Sequence, residues 1–289
     1  MSEAVDPLDA LREPIVPFDP DPVFAAALRA RLQRALLDRT GASMTTGTEP
    51  STTDSTTSPE GDIGYASVWL PDVTRGEAFY GSVLGWQFAA GSSAQGRQVV
   101  GLPNQHIGVW GGIEHNTTYL ALAVHDAEQA VRRVRAAGGT AEDPSQEPFG
   151  MAAMCIDDQG LAFTVFQVPA GDRAPAPPQG PGEIVYLTFE VPDSARFRAF
   201  FGAVFGWEFT AGRAGGDRWG INGVRPLAGL SGGNAEVTVV PQYVVTDLAS
   251  AIERVRAAGG TANEPQQQPY GLSTDCVDDQ GTRFYLAQL

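Results

Sequence analysis

The sequence predicts an α+β protein of two tandem domains preceded by a helical arm. An internal repeat is the first reason. Residues 61–168 align with 182–289 at a constant offset of 121 with no gap, and about four in ten aligned positions are identical, far above chance for so long a period. The second reason is patterning. Each copy alternates strand-like segments of bulky residues with two amphipathic helical stretches, giving strand-helix-strands twice. The third is size. A chain of 289 residues with 43% hydrophobic side chains is long enough for two ordinary domains with real cores.

The elements follow in chain order. Asp21-Pro22 reads as a helix N-cap followed by proline at the first helical position. Phe24, Leu28, Leu32 and Leu36 then recur every four residues. This amphipathic helix needs a surface to dock on, either its own chain or a second copy in a homodimer. Gly41–Pro59 is rich in Ser, Thr, Gly and Pro and reads as a disordered linker. In the first copy, Ile63–Leu70 is a strand. A helix opens at Pro71-Asp72 and stops at Gly85. Two or three short strands run to Trp110. Thr118–Val124 is the next strand, and Ala127–Ala137 a second helix stopped by Gly138-Gly139. That helix buries Ala130, Val131 and Val134, with Arg132, Arg133 and Arg135 on the wet side. Strands near Thr140, at Met151–Ile156 and at Ala162–Val168 close the copy. The expected division is a helical arm at 1–40, a linker at 41–60, a first domain at 61–170, a Pro-rich linker at 171–181 and a second domain at 182–289.

Composition excludes several functions. All 19 basic residues are Arg, set against 34 acids, for a net charge of −15. Without lysine there is no Schiff base, no P-loop lysine and no lysine general base. The acidic balance opposes nucleic acid and anionic membrane surfaces as partners. Two Cys make no disulfide framework. No apolar run reaches membrane-spanning length, and the N-terminus shows no signal peptide. The expected location is the reducing cytoplasm.

Certain residues carry a resemblance. They are Asp72, Phe79-Tyr80, Gly85-Trp86, Val134–Gly139 and Asp157-Asp158-Gln159-Gly160 in copy one. Their partners are Asp193, Phe200-Phe201, Gly206-Trp207, Val255–Gly260 and Asp278-Asp279-Gln280-Gly281. Both copies resemble the vicinal oxygen chelate superfamily, which includes glyoxalase I, extradiol dioxygenases and bleomycin-resistance proteins, and especially its tandem two-domain actinobacterial members. The resemblance implies paired βαβββ modules, glyoxalase-like, whose sheets cup a cavity. It names no reaction, because the fold hosts many.

The resemblance also implies where the superfamily's divalent metal would bind. Those positions hold Tyr65, Tyr119 and Thr164 in copy one, and Tyr186, Val240 and Tyr285 in copy two. The fourth falls within Ile107–Trp110 or Leu227–Leu230, where there is no His, Asp or Glu. Tyr, Thr and Val replace imidazole and carboxylate poorly, so no metal and no other cofactor is expected. His106, His115 and His125 occur in copy one alone. His106 reads as lying in a strand, and His125-Asp126 is the pair that could still serve chemistry.

Strand parity sorts the lining. Tyr65, Ser67 and Trp69 face the first cup, with Trp110, Tyr119 and Thr164. Tyr186, Thr188, Glu190 and Tyr285 face the second, while Phe163 and Phe284 go under the helices. Glu190 stands where copy one has Trp69. It is either a general acid or base in an aromatic pocket, or the partner of an arginine such as Arg283. Tyr186 and Tyr285 could donate to a developing enolate, or simply line the pocket. Cys155 and Cys276 read as core thiols, and Asp157-Asp158 and Asp278-Asp279 as turns. The leading expectation is a metal-independent enzyme acting on an aromatic or polyketide-like small molecule, by proton transfer, isomerisation or cyclisation. The alternatives are a protein that sequesters a small molecule, and a metal-dependent glyoxalase-like lyase or dioxygenase.

Overall fold

The computed structural model describes residues 60–91, 94–147, 150–169, 178–212 and 216–289. The expected N-terminal helix and the linker up to residue 59 lie outside the described residues, as does most of the second linker.

Copy one runs β1 (Ile63–Trp69), α1 (Val73–Leu84), β2 (Gln87–Ala90), β3 (Gly96–Val100) and β4 (Ile107–Trp110). It continues with β5 (Thr117–Val124), α2 (Ala127–Ala136), β6 (Thr140–Ala141), β7 (Ser145–Glu147), β8 (Gly150–Ile156) and β9 (Ala162–Gln167). Copy two repeats the series as β10 (Ile184–Glu190), α3 (Ser194–Phe205), β11 (Glu208–Ala211), β12 (Arg218–Asn222) and β13 (Leu227–Ser231), then β14 (Thr238–Val244), α4 (Leu248–Ala257), β15 (Thr261–Ala262), β16 (Gln266–Gln268), β17 (Gly271–Val277) and β18 (Arg283–Gln288). The strand β7 was not expected. Its Ser-Gln-Glu sequence has no apolar alternation, because it pairs only at the edge of β8. His106 lies just before β4 rather than in a strand.

Each copy forms one continuous sheet. The first has the order β2-β3-β4-β1-β5-β9-β8-β6 with β7 on β8, and the second repeats it as β11-β12-β13-β10-β14-β18-β17-β15 with β16 on β17. At the centre, β1 and β5 pair antiparallel, joining the two strand-helix-strand units side by side. The helix ends obey local chemistry. Asp72 accepts from the Thr74 and Arg75 amides, and Gly85 closes α1 at φ 72°, a conformation that costs glycine least. Asp193 and Gly206 do the same for α3. Among the described residues no helix is long and apolar enough to cross a membrane.

The two copies share one hydrophobic core. The first helix of each copy packs on the sheet of the other. Phe79 and Tyr80 of α1 lie 6.0 and 5.9 Å from the Phe284 ring of β18. Phe201 and Phe205 of α3 lie 5.8 and 5.9 Å from Phe163 of β9. Arginines of the second helices finish the exchange. Arg254 donates to the Val83 carbonyl at 3.1 Å, and Arg133 to the Val204 carbonyl at 3.2 Å, so each satisfies a carbonyl near the end of the other copy's helix. Arg133 also pairs with Glu60 at 3.0 Å and is half-buried, not on the wet side. The Asp-Asp-Gln-Gly turns dock on the opposite helix N-termini. Gln159 exchanges two hydrogen bonds with the Asp193 backbone, and Gln280 two with that of Asp72.

Candidate functional site

The helices cover one face of each sheet and leave the other as the expected cup. In copy one, Val68, Val109, Leu120 and Phe163 belong to the core under the helices. Parity therefore puts Tyr65, Ser67, Trp69, Trp110, Tyr119 and Thr164 together on the opposite face, as read from the sequence.

The first cup is occupied by its own side chains. Tyr65, Tyr119, Ala121, Ala123, Ala152 and Phe166 pack into a separate buried cluster, with Trp69 against it. Trp69 stacks on Tyr119 with ring centroids 4.5 Å apart, and the Tyr119 hydroxyl shares a 2.7 Å hydrogen bond with Thr164 Oγ1. Burial pushes the Tyr119 phenol far up, so it stays neutral.

The second cup is built on the same strands with other side chains. Backbone pairing sets Tyr186 opposite Gln242, Gln242 opposite Tyr285, and Tyr285 opposite Asp275. A row of four polar side chains thus crosses β10, β14, β18 and β17. The matching row in copy one reads Tyr65, Ala121, Thr164 and Met154. Tyr186, Thr188 and Tyr285 are half-buried, and Gln242, largely buried, donates to the Tyr270 hydroxyl. Burial raises the Tyr186 phenol, helped by nearby Tyr270. Burial also raises the Tyr285 phenol, with Asp275 adding to it. Both tyrosines are therefore neutral hydrogen-bond donors at ordinary pH.

Glu190 sits at the end of β10, 8% exposed. Arg283 Nη1 donates to its Oε2 at 2.5 Å, so the carboxylate is paired as one of the two sequence readings expected. The pair borders a cavity of about 450 Å³ between the copies, which Glu114, His115, Glu236 and Thr238 also line. Sequence reasoning did not single out Gln242, Tyr270 or Asp275. The signal for Gln242 was available: it interrupts an apolar strand, Thr238–Val244, much as Glu190 interrupts Ile184–Glu190.

The remaining candidates disperse. His125 Nδ1 lies 3.2 Å from Glu60, while Asp126 caps α2. His115 Nε2 is 3.0 Å from the Val237 carbonyl oxygen. Cys155 and Cys276 are buried, and burial pushes both thiols up to about 12. Asp157 and Asp278 brace their turns by accepting backbone N–H groups.

The donor set does not fit the superfamily's divalent metal. Its positions in the first cup are engaged in the Tyr119–Thr164 bond and the apolar cluster around Tyr65. In the second they offer two neutral phenols and the hydrocarbon side chain of Val240. Among the described residues no three His, Cys, Asp or Glu side chains gather closely enough to hold an ion. Divalent metals are held by imidazole, thiolate and carboxylate.

Comparison with known proteins fixes the fold. The family described as glyoxalase-like domain matches residues 67–166. No curated protein matches the sequence. Among solved structures, the Mn(II)-bound glyoxalase from Novosphingobium aromaticivorans is similar at a TM-score of 0.60 and 16% identity, over 80% of this chain and 82% of that one. A catechol 2,3-dioxygenase is similar at 0.61 and 13%, over 80% and 89%. Homoprotocatechuate 2,3-dioxygenase from Brevibacterium fuscum is similar at 0.57 and 16%, over 80% and 82%.

Proposed function

We propose that this chain, whose residues 67–166 match the glyoxalase-like domain family and whose fold is that of the similar glyoxalase and dioxygenases, is a vicinal oxygen chelate protein whose second cup binds a flat aromatic small molecule and moves a proton on it without the superfamily's metal. The observation that carries this is the contrast between the cups. At equivalent positions the first closes on itself, and the second keeps two half-buried tyrosines and a carboxylate.

The chemistry follows from those groups. Glu190 takes a proton from an acidic C–H of the ligand and returns it at a second carbon, so the sum is an isomerisation with nothing oxidised or reduced. Tyr285, a neutral donor near Glu190, holds the oxygen on which negative charge collects between the two transfers, and Tyr186 lines the same cup. Arg283 fixes the position of the Glu190 carboxylate through a charge-assisted hydrogen bond. The exposed apolar side chain of Leu227, paired with Tyr186, receives the ring.

Replacing Glu190 with Gln should lower turnover of the substrate by about a hundredfold or more, in the usual range for a general base, with binding nearly unchanged. Unchanged turnover removes Glu190 from the reaction. A ligand that stays chemically intact through long incubation with the wild-type protein points instead to sequestration. The similarity to a Mn(II)-bound glyoxalase and to dioxygenases favours a metal-dependent reaction as the second reading. Elemental analysis of protein purified without added metal decides it: a stoichiometric transition metal overturns the proton-transfer reading.

A further inference from the structure

We infer that Gln242 is the specificity-determining residue of the second cup, and that it selects aromatic ligands carrying a hydrogen-bond donor, a phenolic hydroxyl or ring N–H, over those carrying only acceptors. This rests on the reading that the second cup is the ligand site.

The argument is one of hydrogen-bond accounting. A glutamine side chain has two N–H donors and one carbonyl acceptor. Both N–H groups of Gln242 are committed. Its Nε2 donates to Ser273 Oγ at 2.9 Å and to the Tyr270 hydroxyl at 3.3 Å. In the structure the amide is turned with Nε2 on both hydroxyls, which leaves Oε1 as the group not used. Among the described residues none donates to Oε1, and Oε1 is not among the atoms sealed from solvent. On the cup face of β14, the group that Gln242 leaves unused is therefore an acceptor. Copy one has Ala121 here, so nothing in the fold requires an amide at this place.

The surroundings leave that acceptor accessible. Tyr186 and Tyr285 stand on either side, one strand away each, so their backbones are about 10 Å apart at the usual strand spacing. A flat ring between two stacked rings needs about 7 Å. The Tyr186 hydroxyl leans the other way, into space that exists only because residue 229 is glycine; a methyl there would collide with it. A planar ligand can thus enter edge-on between the tyrosines and present its edge to Gln242 Oε1. A site that holds a ligand donor in this way rejects the analogue without it, because the buried acceptor is then unpaired.

The test uses two probes of one shape, 2-naphthol and 2-methoxynaphthalene, followed by their fluorescence on titration with the full-length protein. Wild type should bind 2-naphthol about tenfold or more tightly over its methyl ether, the worth of one good buried hydrogen bond. Gln242→Met should bring that ratio close to one, in part by tightening 2-methoxynaphthalene, which no longer buries an unpaired acceptor. Binding of the ether also reports that the variant's cup is intact. Equal binding of both probes by wild type, with both blocked by Thr188→Trp, overturns the role of Gln242 and keeps the cup as the site. Failure of both probes to bind, or binding that Thr188→Trp leaves untouched, overturns the site itself.

Discussion

Phe201→Tyr should stabilise the protein at pH 8 and do little at pH 4.5. The offset of 121 makes Asp157 and Asp278 equivalents, and likewise Phe201 and Tyr80. The Tyr80 hydroxyl donates to Asp278 Oδ2 at 3.1 Å. Phe201 has no hydroxyl, and Asp157 Oδ2 is buried without a partner. Burial pushes the Asp157 carboxyl up to about 6, although two backbone amides donate to its other oxygen. Against an ordinary value of 3.8, that difference is worth about 3 kcal/mol. The sign follows from proton binding. The folded state holds the proton more tightly, so this contribution is complete below pH 4 and is lost as pH rises through 6. At pH 8 the protein carries a buried carboxylate with one oxygen unpaired.

A tyrosine at 201 restores the missing donor. The ring is already placed for it, since Phe201 lies 5.8 Å from Phe163 as Tyr80 lies 5.9 Å from Phe284. A hydrogen bond to a charged group contributes about 1.5–3 kcal/mol. Fitting one more oxygen into a packed core costs about 1 kcal/mol at the low end of the range. The expected net gain is about 0.5–2 kcal/mol at pH 8, falling towards zero at pH 4.5, where the carboxyl is protonated. Urea unfolding of both proteins at the two pH values measures it. A gain equal at both pH values, or a loss that is larger at pH 8, refutes the reasoning.

Other outcomes follow from the same structure. Tyr80→Phe should cost about 1–3 kcal/mol at pH 8, the reverse of the substitution above, because it leaves Asp278 Oδ2 without its donor; thermal melts at pH 8 and pH 4.5 test this, and an effect that does not depend on pH counts against it. Arg283→Met should destabilise by about 1–3 kcal/mol by leaving Glu190 unpaired, and Glu190→Gln in the same chain should recover part of that loss, a coupling that a double-mutant cycle reads directly. Cys155 and Cys276 should be inert to a disulfide reagent in the native protein at pH 8 and react fully in denaturant, since thiols pushed up to about 12 carry almost no thiolate; rapid native labelling would show that the strands holding them open.

Much of the fold was legible because its signals are local. Asp72 and Gly85 mark the ends of α1 by capping chemistry that operates within four residues, and the repeat supplied α3 with the same caps. Strand parity placed Tyr65, Ser67 and Trp69 on one face correctly, because a strand alternates whatever it packs against. The exchange of helices was not legible. Nothing in Phe79 or Phe201 distinguishes packing on the same copy from packing on the other, and Arg133 looked like any solvated helix arginine. The same limit applied to Gln159 and Gln280, read as turn residues. Their side chains meet Asp193 and Asp72 through contacts that join distant parts of the chain. The candidate site was half legible: Glu190 stood out as a carboxylate in an apolar strand, and its pairing with Arg283 was one of two readings between which only the strand order decides. Gln242 went unnoticed because interest centred on titratable groups.

The reciprocal packing of the copies has a consequence for how this protein can change. In a dimer of identical chains, any substitution at the contact between a helix and the opposite sheet appears twice, and both cups must tolerate it. Here each such contact is written by its own pair of codons. Tyr80 with Asp278 and Phe201 with Asp157 are already two different solutions to one geometric problem. The same independence lets one cup fill with Trp69 and Tyr119 as structural ballast, while the other keeps Glu190 with the half-buried Tyr186 and Tyr285. Joining the halves in one chain frees one of them to be only scaffold.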